Sequence, residues 1–173
     1  MEKIYIVLSR SNTLVARIIR LFTKKYYNHA SVSMDKSLDT FYSFGRHDPR
    51  FMFPAGFIVE GVHKGFFGLH PSTKILVLER EVPSEAKEEV MANIRGFVAE
   101  RKKFRYGIHQ LPMVYRGKTY RSEKYYVCSV FCAYILRNAF DFGKDYSLVM
   151  PEDFYGLSAR MIYEGKREGY VYA

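Results

Sequence analysis

Tryptophan is absent from this 173-residue chain, and cysteine occurs only twice, as Cys128 and Cys132. Four residues apart on one expected helix, the two thiols suit neither a disulfide framework nor a four-ligand zinc site, and both are read as reduced. No cofactor and no metal is called for. Long apolar runs are missing as well. None approaches the roughly 18 residues a membrane-crossing helix requires. Met1-Glu2-Lys3 leads straight into strand-like sequence instead of a charged region followed by an apolar signal core, so a cytoplasmic location is expected. There is no internal repeat, low-complexity tract or dividing linker, and the length suits one domain spanning 1–173.

What is present is aromatic and basic. Fifteen Tyr and 14 Phe make pockets and edges rich in amphipathic rings. An apolar share of 48% and a charged share of 26% are those of an ordinary folded domain. The net charge of +9 favours an anionic partner such as a phospholipid surface or an acidic cell-wall polymer. Nucleic acid is not the expected partner, because the basic residues are scattered in pairs (Lys24 and Lys25, Lys102 and Lys103) and the usual nucleic-acid motifs are missing.

Periodicity predicts a mixed α+β chain. Ile4 to Leu8 reads as a buried strand, and Thr13 to Lys24 as an amphipathic, basic helix. That helix is a surface helix on the core, or a weak contact for an anionic membrane surface. His29 to Met34 and Thr40 to Gly45 alternate as two strands of a hairpin turning near Ser37. The Gly- and Phe-rich stretch from Arg46 to His70 reads as loop with one strand at Gly56 to Val62. A strand at Lys74 to Glu81 and a helix from Ser84 to about Lys103 follow, the helix acidic early and basic late as its dipole prefers. Cys128 to Phe140 forms one apolar helical stripe, Pro151 opens a helical turn, and Met161 to Tyr172 reads as a hairpin turning at Glu164-Gly165-Lys166.

Two residues carry the chemistry. Cys128 falls at the start of its helix, where unpaired amides and the positive dipole end favour a thiolate, whereas Cys132 fits a small buried apolar residue. His29 opens its strand, and alternation puts it on one face with Ser31 and Ser33. Cross-strand pairing brings Ser43 diagonal or opposite to Ser31 on that face, a candidate to orient the imidazole. His47, His63, His70 and His109 compete as bases but sit in loop-like sequence.

A strand histidine in Tyr-Asn-His-Ala-Ser-Val-Ser, a second strand in Phe-Tyr-Ser-Phe-Gly and a much later Tyr-Val-Cys-Ser-Val-Phe-Cys resemble the circularly permuted papain-like superfamily. Its better-known relatives are lecithin retinol acyltransferase-like proteins and bacterial cell-wall amidases. The order matters, since His29 precedes Cys128 here, whereas ordinary papain-type enzymes place the cysteine helix first. The resemblance implies an antiparallel sheet packed against the helix that carries the nucleophile. It puts that nucleophile at Cys128 and the general base at His29. The third polar residue would fall at or beside Ser43, where the family has His, Asn, Gln or an acid; a serine orients an imidazole less strongly, and Glu60 is an alternative.

By the same resemblance the chain is a thiol hydrolase (peptidase, amidase or esterase) or an acyltransferase, acting on a peptide, amide or lipid ester through a thioester. The aromatic stretch from Phe51 to Phe67 is expected to pack in the core, or else to wall a site for an acyl chain or peptide. The alternative is a binding domain that keeps the fold but has lost the chemistry.

Overall fold

The computed structural model describes residues 1–10, 26–48, 50–51 and 54–172. The helix expected over Thr13 to Lys24 lies outside these residues.

Six strands form one antiparallel sheet: β1 (Glu2–Arg10), β2 (His29–Ser33), β3 (Phe41–Arg46), β4 (Ala55–Glu60), β5 (Lys74–Val82) and β8 (Arg160–Lys166), in the spatial order β4-β3-β2-β1-β5-β8. Strand β1 lies inside the sheet between β2 and β5, and both of its faces are covered. This is why Ile4 to Leu8 is an unbroken apolar run rather than an alternation. One face carries Ile4, Ile6, Leu8, Ala30, Val32, Phe44 and Phe57. It packs under helices α2 (Ser84–Ala99) and α4 (Cys128–Leu136) through Val90, Ile94, Phe97, Phe131 and Ile135. The other face, with Tyr5, Val7, Phe41, Ile75 and Val77, is closed by Leu38, Val62, Phe67 and Tyr170. The chain is therefore an α+β protein whose sheet is sandwiched between a helical layer and a layer of turns.

The hairpin expected from alternation forms, with β2 and β3 antiparallel and Val32 opposite Tyr42. That register carries Ser43 opposite Ser31. Short elements join the sheet to the helices: α1 (Gly65–Leu69), β6 (Arg105–Tyr106), α3 (Leu111–Tyr115) and β7 (Tyr125–Tyr126), with β6 and β7 paired in parallel. Among the described residues no helix is long and apolar enough to cross a membrane.

Two expectations are corrected. Helix α2 ends at Ala99, because the basic Arg101-Lys102-Lys103 forms a turn instead of a last helical turn. The tail is not a hairpin. Glu164-Gly165-Lys166 is the end of strand β8, which pairs along β5 from Arg160 to Lys166 with a bulge near Ile162, so hydrogen bonding to an existing strand prevails over local turn composition. Of the aromatic stretch, Phe57 packs beneath the helices and Phe67 on the opposite face, as core packing requires, while Phe51 is exposed.

Candidate active site

The site is assembled where α4 begins. Strand β7 delivers the chain in extended form to Val127, and the helix starts at Cys128 with no side chain capping it. The first amides of α4 therefore remain available to an acceptor placed at the helix start. Cys128 is 5% exposed and Cys132, one turn deeper, is 0% exposed. The helix is apolar nearly all round, and burial against β2 and β3 fixes its position.

His29 stands at the first residue of β2, pairing with Ser9 of β1. Its imidazole meets the Cys128 thiol on one side. On the other, Nε2 lies 3.6 Å from Oε2 of Glu60. Burial disfavours the imidazolium, but the contacts with Cys128 and Glu60, reinforced by their charges, outweigh it and hold His29 above the usual histidine range. For Cys128 burial opposes the thiolate, while hydrogen bonding and charge from His29 and backbone hydrogen bonding at Ala30 and Ser129 bring the thiol below its ordinary value. The opposite trend marks Cys132, which burial and the neighbouring Cys128 push up. Two cysteines on one helix are thus given opposite characters by a single turn.

The contact between His29 and Glu60 spans an intervening strand, because β3 lies between β2 and β4. Gly45 of β3 lies beneath the imidazole: a Cβ there would stand 3.8 Å from Cε1 of His29, an ordinary van der Waals contact, and 2.7 Å from Cδ1 at the tip of Ile58, which would have to turn aside. Glu60 is largely buried, and among the described residues its Oε2 has no hydrogen-bond partner, the 3.6 Å to His29 being an ion-pair distance. A buried carboxylate oxygen in that state favours a cation beside it.

Ser43 does not take the orienting position. It shares the face of His29, as the register requires, but its fully buried hydroxyl donates to the Ala30 carbonyl at 2.6 Å. Its bond stitches β3 to β2. Of the other histidines, His47, His63, His70 and His109 are all exposed.

Tyr106 is a site residue that periodicity did not single out. Its hydroxyl lies against Cys128, and burial together with the nearby thiol raises its own ionisation well above the tyrosine range, which keeps it a donor. Local structure holds it there. Strand β6 pairs with β7 through Arg105 N–H to Lys124 O and Gly107 N–H to Tyr126 O, and Gln110 Nε2 donates to Tyr125 O at 2.8 Å. The close approach of β4 to this ladder depends on Gly56, whose Cβ would lie 2.6 Å from the Phe104 carbonyl oxygen. The only sequence signal for Tyr106 was its place in a Tyr-rich connector before the cysteine helix.

Comparison with known proteins adds no further constraint. No family model matches the chain, and neither the curated proteins nor the solved structures contain a match. The functional reading therefore rests on the geometry around Cys128.

Proposed function

We propose that the protein is a cysteine hydrolase or acyltransferase on a circularly permuted papain-like domain, with Cys128 as nucleophile and His29 as base. The observation that carries this reading is the hydrogen-bonded Cys128–His29 pair at an uncapped helix N-terminus, with the thiol lowered and the imidazole raised. The chain order, histidine strand before cysteine helix, is the one the permuted branch requires. Glu60 takes the orienting role in place of Ser43, because its carboxylate approaches Nε2 while the Ser43 hydroxyl donates to the Ala30 carbonyl.

In the reaction His29 holds the thiol proton and Cys128 attacks an acyl carbon. The developing oxyanion is held by the amide of Cys128, with the Tyr106 hydroxyl as a second donor. His29 then protonates the leaving amine or alkoxide as the thioester forms. Water as acceptor completes hydrolysis, and an alcohol or amine completes acyl transfer.

The test is alkylation of the native protein by iodoacetamide across pH, read at each cysteine by mass spectrometry. Cys128 is expected to label well below the ordinary thiol range of about 8.5, and to lose that reactivity in His29→Ala. Cys132 should stay unlabelled until the protein unfolds. Slow labelling of Cys128 that ignores His29 would leave a binding domain without chemistry.

A further inference from the structure

Residues 100–124 connect α2 to β7 and hold eight lysines and arginines against two glutamates. All eight basic side chains are exposed. Only Lys103, with Glu100, and Arg121, with Asp145, have a carboxylate within ion-pair distance among the described residues. Arg105 spends its donors on the backbone carbonyls of Lys102 and Phe104, which leave its charge uncompensated, and Lys124 lies 5.5 Å from the centre of the Tyr125 ring. This surface belongs to the elements that build the site. Side chains alternate along a strand, so the β6–β7 ladder turns Tyr106 and Tyr126 inward and Arg105 and Tyr125 outward.

We propose that this outer face is a docking surface for an acidic peptide, and that the acyl substrate of Cys128 carries carboxylate side chains beyond the scissile bond. The inference rests on the catalytic reading above and extends it from a reaction type to a substrate class. Arg105 is the chain neighbour of Tyr106 on the opposite face of the ladder, so a chain that leaves the thiol and crosses the edge of the ladder reaches the face of Arg105, Lys102 and Lys124, where the exposed Ile108 and Tyr115 offer apolar contact. A peptide fits better than a bilayer. The helix beside the patch, α3, has five residues, too few to lay an apolar face in a membrane. It also fits better than a polynucleotide, because a thiol nucleophile attacks acyl carbon.

The test measures binding of fluorescein-labelled hexaglutamate by anisotropy in low salt and at about 0.15 M, and the protection it gives Cys128 against iodoacetamide. Binding that weakens with salt and slows labelling is expected. The variant carrying Lys102→Gln, Arg105→Gln and Lys124→Gln should bind about tenfold more weakly, roughly twofold for each exposed charge. Lys166→Gln, at the far edge of the sheet, should leave binding unchanged. Absence of hexaglutamate binding, or binding that leaves Cys128 unprotected, overturns the proposal. So does preference for phosphatidylserine vesicles or an oligothymidine over the peptide. A Cys128 that labels slowly even without peptide refutes the catalytic reading instead, and anisotropy alone then decides the docking surface.

Discussion

Replacing Glu60 with Gln removes the negative charge beside His29 while keeping the shape of the side chain. At 3.6 Å, two unit charges interact by about 4–5 kcal/mol at an effective dielectric of about 20. His29 retains 21% side-chain exposure and Glu60 10%. Solvent screening on that scale leaves about 2 kcal/mol, or about 1.5 pH units of imidazolium stabilisation. The charge on Glu60 favours the thiolate–imidazolium form of the pair over the neutral one, so Glu60→Gln should move that balance by up to about 30-fold toward thiol and neutral imidazole. Iodoacetamide labelling of Cys128 near pH 7 should fall by up to that factor and recover only as pH rises into the free-thiol range. The His29 titration, followed by NMR of its ring protons, should move down toward the usual histidine value. Ser43→Ala supplies the contrast. It removes a buried hydrogen bond to the Ala30 carbonyl, costs about 1 kcal/mol of stability and leaves the labelling profile where it was. A pH profile that ignores Glu60→Gln but moves with Ser43→Ala would refute the assignment of the orienting role.

Tyr106→Phe keeps the ring in place and removes the hydroxyl on Cys128, so thermal stability should change little, while turnover of an activated ester should fall by about 10²-fold if the hydroxyl holds the oxyanion; an unchanged rate would confine Tyr106 to packing. Gly45→Ala puts a methyl group 2.7 Å from the flexible tip of Ile58, which must turn aside toward its neighbours, and it should cost about 1 kcal/mol, read as a lowered chemical-denaturation midpoint, together with slower Cys128 labelling. A variant as stable and as reactive as the parent would mean that β3 does not set the position of His29.

The parts of the fold that could be read in advance are those in which one period decides the outcome. Ile4 to Leu8 is apolar at every position because neighbours cover both faces of β1, and Cys128 opens a stripe that only a buried helix face explains. The hairpin followed from alternation, and its register follows from the face that must be buried. The same reasoning led to Ser43, and its limit is visible there. A period of two assigns a side chain to a face, but it says nothing about how far that side chain reaches or which acceptor is nearer. Serine is short, and the carbonyl of Ala30 lies within its reach. Glu60 comes from a strand two places away in the sheet, inside a Gly- and Phe-rich stretch with weak alternation, and it reaches His29 across β3. The tail failed for a related reason, since Glu164-Gly165-Lys166 has the composition of a turn yet is held straight by β5. Contacts of this kind depend on the sheet already being assembled. Cys128 and His29 were therefore legible as candidates from a helix start, a strand start and the resemblance they carry, with Glu60 only an alternative to Ser43, whereas the place of Tyr106 beside Cys128 belongs to the tertiary structure alone.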